Sequence, residues 1–170
     1  DSVNGLGSEW NVGNEPLTVG DFGKAELIIS DKGQVHSAGG FIAQEENSIA
    51  TVTIDGFESF WTSSLNINIA GDAVFNGGEG TLSLHNNASV IAPQVTVFGP
   101  GILEGEGKII GNVENFGVVT PGHSSGVLEV DGDFAQRSAG QLTIELGGLN
   151  AGTQFDLIDI SGDADLSGTL

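Results

Sequence analysis

Residues 111–146, GNVENFGVVTPGHSSGVLEVDGDFAQRSAGQLTIEL, decide how the chain is read. Val118 and Val119 precede the turn at Pro121-Gly122, Leu128 and Val130 precede Asp131-Gly132-Asp133, and Leu142, Ile144 and Leu146 precede Gly147-Gly148. Apolar residues therefore recur at period two between Gly, Asn, Asp and Pro breakers, with almost nothing helix-forming between them. Each element is a predicted strand or a corner. Short strands that point alternate side chains inward and then turn sharply predict an all-β chain of the β-solenoid type, with like strands stacked along an axis.

Upstream the same grammar returns as a repeat. GLGSEW at 5–10 recurs as GFESFW at 56–61, an offset of 51 (56 − 5), and LIISDKGQV at 27–35 lines up with LSLHNNASV at 82–90, an offset of 55 (82 − 27). The drift places a four-residue insertion (55 − 51) in the second copy around Gly71 to Gly80. A period near 50 residues is too long for one coil, so two or more share it. The strand candidates in the first copy are Leu17–Val19, Glu26–Ile29, Gly33–Val35, Phe41–Ala43 and Ala50–Ile54. At three faces per coil they imply about 20 to 25 residues per coil and about seven or eight coils in all. Residues 1–170 are expected to form one continuous unit within a longer chain, with two repeats of about 50 residues over 1–98 and Gly-rich coils over 99–170. The alternative fold is a β-sandwich, which would need a set of one-off hairpins where the repeat favours stacking.

Composition narrows the function. The chain carries 23 Asp plus Glu against 4 Lys plus Arg, a formal net charge of −19, which leaves too few cations to neutralise nucleic-acid phosphates or to hold an anionic membrane. At 38% hydrophobic residues it is too apolar for disorder. No stretch is long and apolar enough to span a membrane as a helix. The absence of Cys excludes a disulfide framework. An acidic exterior keeps a protein soluble and can collect divalent cations.

Several motifs invite chemistry. Gly122-His123-Ser124-Ser125-Gly126 fits G-x-S-x-G, but a nucleophile elbow needs a helix after it, and here a strand is expected from Gly126 to Val130, so a Ser-rich corner is the better reading. His36, His85 and His123 lack zinc-type spacing and read as solvated corner residues. Gly77-Gly78-Glu79-Gly80 begins like a calcium nonapeptide, yet Leu82 stands where Asp is required. Asp131 with Asp133, and Asp163 with Asp165, are candidate weak calcium ligands at corners; no other cofactor is expected. Trp10 and Trp61 recur with the repeat, either packing corners or, as candidate ligand-binding residues, stacking on sugar rings. Lys24, Lys32, Lys108 and Arg137 are the only cations, none amid an acidic cluster, so no lyase or hydrolase site is assembled.

Residues 5–35 and 56–90 resemble the repeats of bacterial autotransporter passenger domains and related β-strand-repeat surface proteins, which run G-x-G-S-x-W, L-x-V-G, G-x-L-x-I and G-G-x-V. The second stretch departs from L-x-V-G with Asn-Ile-Ala-Gly. Residues 101–170 are similar to the segment that follows in those proteins, keeping Gly101 to Gly117, Pro121 to Ser124, Gly126 to Asp133, Gly140 to Gly148 and Gly168 to Leu170 in order. The resemblance implies a right-handed parallel β-helix, secreted or at the bacterial cell surface, acting as a stalk, scaffold or adhesin and transferring no catalytic residue. Surface glycans or further copies of the chain are the expected partners. A carbohydrate-binding module is the alternative, and an accessory region of a polysaccharide lyase or hydrolase the third reading.

Overall fold

The computed structural model describes residues 1–74 and 77–170; of the insertion expected at Gly71 to Gly80, Phe75 and Asn76 lie outside the described residues. The described residues contain strands and turns and no helix. The first part comprises β1 (Ser2–Asn4), β2 (Glu9–Asn11), β3 (Pro16–Val19), β4 (Lys24–Ser30), β5 (Gln34–Ser37), β6 (Gly39–Ile42), β7 (Ile49–Asp55), β8 (Phe60–Ser63) and β9 (Ile67–Ile69). Two long strands follow, β10 (Glu79–Val97) and β11 (Ile102–Asn115). The chain ends with β12 (Val118–Pro121), β13 (Val127–Asp131), β14 (Phe134–Gln136), β15 (Gln141–Leu142), β16 (Leu157–Ile160) and β17 (Ala164–Leu166).

Strands pair in parallel with the strand three places later: β1 with β4 and β4 with β7, β2 with β5 and β5 with β8, β3 with β6 and β6 with β9. β10 receives β7, β8 and β9 along successive parts of its length, and β11 pairs with it over residues 81–84, 88–91 and 94–97. From β11 the three rows continue to β12, β13 and β14, and then to β15, β16 and β17.

Because β10 and β11 take part in all three rows, the strands form one 17-stranded sheet, within which a seven-strand parallel half-barrel is the recognisable unit. The all-β expectation stands, but the right-handed parallel β-helix, a β-solenoid of seven or eight coils, is corrected. Such a coil requires a strand and a corner for every face, whereas β10 runs 19 residues and β11 runs 14 as continuous strands crossing from row to row. Their bends are built into the strands. The β10–β11 register shifts between Leu84 and Ala88 and again between Ile91 and Gln94, and Asn86 and Asn87 adopt φ of 52° and 61° at the first shift. Asn visits the left-handed region at low cost, so the direction changes without a loop. The β-sandwich alternative is corrected too: it needs antiparallel sheets, and among the described residues every strand pair is parallel, with antiparallel contacts confined to bridges at Gly105–Gly122 and Leu146–Phe155.

Alternation puts one side of each strand in the core, and parallel register then stacks like residues over like. Leu27, Val52, Leu82, Leu103, Val119 and Leu142 form one buried file, each in register with the next. A second file runs Trp10, Val35, Trp61, Val90, Ile109, Val130 and Ile160. The two tryptophans stand two strands apart, and the steps of 25 (10 to 35) and 26 (35 to 61) residues add to the repeat of 51. The steps Leu27 to Val52 and Val52 to Leu82, of 25 and 30 residues, add likewise to 55.

Candidate functional site

The outward side of β10 and β11 carries a cluster assembled from residues far apart in sequence. Leu82 and Leu84 point into the core, so the intervening Ser83 and the following His85 face out, and Ser83 is in register with Glu104 of β11. Glu106 follows Glu104 on the same outward side. His123 comes from the corner after β12, where the Gly122 N–H donates to the Gly105 carbonyl at 2.9 Å and closes the Gly105–Gly122 bridge. This turns the loop back over β10. Gly105 has φ 104°, and a Cβ there would collide with the Leu84 carbonyl and stand 2.9 Å from His123 Cε1, so a glycine is required for the imidazole to settle.

The His85 and His123 rings stack with centroids 3.9 Å apart and planes inclined by 24°. Ser83 Oγ lies beneath them, 3.1 Å from His85 Nε2 and 3.0 Å from His123 Nε2, and the residue is 4% exposed despite its outward position. One hydroxyl proton can be donated to only one ring nitrogen, so Ser83 can satisfy both by donating to one imidazole and accepting from the other. Carboxylates flank the pair. Glu104 Oε1 is 3.4 Å from His123 Nε2, and Glu106 Oε2 is 3.7 Å from His123 Nδ1. Asp55, in register with His85, accepts a hydrogen bond from Asn86 Nδ2 at 2.7 Å. Ligand atoms of His85, Glu106 and His123 all lie within 4.8 Å of one another. Two imidazoles and a carboxylate make a donor set suited to a borderline divalent transition metal.

Of the histidines read in sequence as solvated corner residues, His85 lies instead within β10 and stacks on His123, while the candidate sugar- and calcium-binding residues fall elsewhere. Trp61 is fully buried, with Nε1 donating to Ser37 Oγ at 2.9 Å, and has no face to offer a sugar ring. Trp10 is 38% exposed at the open edge of β2, lining a groove of about 570 Å³ with Val3, Asn4, Ser8 and Glu9. Asp131 accepts from Ser161 Oγ at 3.1 Å and faces Lys108 Nζ at 3.4 Å, while Asp165 faces Arg137 at 3.5 Å. Asp133 accepts from the Asp163 N–H at 2.9 Å, linking the corners of neighbouring strands. The carboxylates of Asp131, Asp133 and Asp165 answer to local partners, and the converging ligand set found among the described residues is that of His85, Glu106 and His123. The Gly122–Gly126 motif is a corner leading into β13, and His123, rather than its serines, joins the cluster.

Two signals of this site were available: the outward parity of Ser83 and His85, and the offset of 55 that aligns His85 with Ser30, which the structure connects through Asp55. Neither reveals His123, because its place depends on the loop folding back. No family model, curated protein or solved structure matches the chain.

Proposed function

We propose that the chain is a non-enzymatic rigid spacer or scaffold segment of an exported bacterial surface protein. The observation that carries this reading is the stacking of buried side chains through successive strands, as in the file from Leu27 in β4 to Leu142 in β15. A body held by parallel ladders resists bending because each displaced strand must break backbone hydrogen bonds on both sides. The acidic exterior, at a formal net charge of −19, adds repulsion that opposes pairing of open edges between copies. No helix among the described residues is long and apolar enough to cross a membrane. Export to the cell surface, and use as a stalk or adhesin, rest on the resemblance carried by the repeat residues. The carbohydrate-binding alternative loses its main support with Trp61 in the core.

Rigidity is measurable directly, because a chain without Cys accepts spin labels at two introduced cysteines. Glu9 and Asp159 occupy the first and last strands of one row, through Gln34, Phe60, Ser89, Lys108 and Glu129. Six steps at about 4.8 Å place their backbones about 29 Å apart. Pulsed dipolar spectroscopy of the doubly labelled protein should give a single narrow distribution about that distance, widened only by the label linkers. A broad or bimodal distribution would show a flexible chain and end the spacer reading.

A further inference from the structure

The geometry points to a divalent transition-metal site, of the Zn²⁺ class, formed by His85, His123 and Glu106, which clips three successive strand levels together. His85 lies on β10, Glu106 on β11, and His123 on the corner that follows β12. An ion held by all three ties β10 and β11 to the returning loop. Disulfides staple chains in the same way, and this one has no Cys. The inference does not depend on the spacer reading.

Three features favour a metal over a fortuitous cluster. The donor set is chemically coherent, since imidazole nitrogen with one carboxylate is a common ligand combination for zinc and its neighbours. His123 is oriented for ligation: Nδ1 faces Glu106, while Nε2 is engaged by Ser83 Oγ at 3.0 Å and Glu104 Oε1 at 3.4 Å. A ligating imidazole whose other N–H is held by a carboxylate or hydroxyl has its tautomer and ring angle set in advance. The electrostatics also lack a counter-charge. Among the described residues Glu104 and Glu106 pair with imidazole and a backbone N–H and with no Lys or Arg, so a dication would supply what the side chains do not.

Bond lengths of about 2.0–2.2 Å to N and O imply ligand atoms about 3.4 Å apart in a tetrahedron. The present spread of up to 4.8 Å closes by rotation of side chains that already face solvent. Three protein ligands leave a fourth position for water, so the site is open on its outer side.

The test is calorimetric titration of chelator-treated protein with Zn²⁺ in excess Mg²⁺ and Ca²⁺, which occupy the diffuse acidic surface. One Zn²⁺ per chain and a raised thermal midpoint are expected. His85→Ala, His123→Ala and Glu106→Gln should each lose at least about 10-fold in affinity. Ser83→Ala should weaken binding less while leaving the stoichiometry at one. Circular dichroism checks that the variants are folded, and Cu²⁺ electron paramagnetic resonance on the unaltered chain reads the ligands without mutation, with two coordinated nitrogens expected. Uptake by a His85→Ala/His123→Ala double variant equal to the parent's, absence of saturable uptake by the parent, or a Cu²⁺ signal from oxygen ligands alone would each overturn the assignment.

Discussion

Replacing Trp61 by Ala separates a core tryptophan from a sugar-stacking one. Its ring reaches across the interior to Gly40, where an added Cβ would stand 2.6 Å from the six-membered ring, and its Nε1 donates to Ser37 Oγ at 2.9 Å. Burial of an aromatic of this size removes about 150–250 Å² from water, which at about 25 cal/mol per Å² corresponds to about 4–6 kcal/mol. Alanine keeps part of that burial and leaves a cavity, and such truncations cost about 3–5 kcal/mol. Losing the indole donor strands the Ser37 hydroxyl and adds about 1 kcal/mol or more. The expected total is about 4–6 kcal/mol, a large part of the roughly 5–15 kcal/mol that holds a domain together. Trp10→Ala, in the same file but 38% exposed at the edge, should cost much less, about 1 kcal/mol. Urea unfolding followed by circular dichroism gives both values, and acrylamide should quench Trp10 fluorescence while sparing Trp61. A Trp61→Ala loss below about 1 kcal/mol, or equal effects at the two positions, would refute the register that places Trp61 inside.

Asp156 is 3% exposed and accepts from the Gly126 N–H at 3.0 Å and the Glu145 N–H at 2.7 Å, so Asp156→Ala should destabilise by about 2–4 kcal/mol in urea unfolding and expose the 122–126 corner to proteolysis first. Unchanged stability would show that those amides find other partners. Asn115, fully buried, accepts from the Gly117 N–H at 3.0 Å and donates to the Gln141 carbonyl at 3.1 Å. Asn115→Leu should therefore cost about 2–4 kcal/mol although it makes the interior more apolar; a thermal midpoint equal to or above the parent's would contradict this.

Much of the strand content was legible from period-two alternation. The expected segments Leu17–Val19, Glu26–Ile29 and Ala50–Ile54 fall within β3, β4 and β7, because alternation against breakers reports the inward side directly. The repeat offsets also translate into strand steps, since stacked rows require like residues at like positions. Continuity was not legible. Asn86-Asn87 and Gly111 look like corners in sequence, yet within β10 and β11 they are bends at the two register shifts, where pairing steps over them and resumes without an intervening loop. A breaker residue reports a change of direction and not whether pairing stops. The same limit explains Trp10 and Trp61, which are equivalent in the repeat but unequal in burial because only Trp61 has a strand on either side.

Outward chemistry in such a sheet is written across strands, where spacing along the chain carries little information. Lys108 meets Glu129 and Asp131 from β13, and Arg137 meets Glu114 of β11 at 2.7 Å and Asp165 of β17 at 3.5 Å, so these two cations neutralise acids of neighbouring strands. These pairs are largely solvent-facing and each contributes little alone. They matter by relieving repulsion that parallel register would otherwise concentrate, as between Glu129 and Asp159, which are direct partners. Glu104 and Glu106, two residues apart on the outward side of β11, are a further acidic pair, but the side chain against both is the His123 imidazole rather than a Lys or Arg. The Lys and Arg pairing used elsewhere in the sheet is thus missing at this patch among the described residues, and a metal ion would meet the carboxylate charge and the nitrogen donors together.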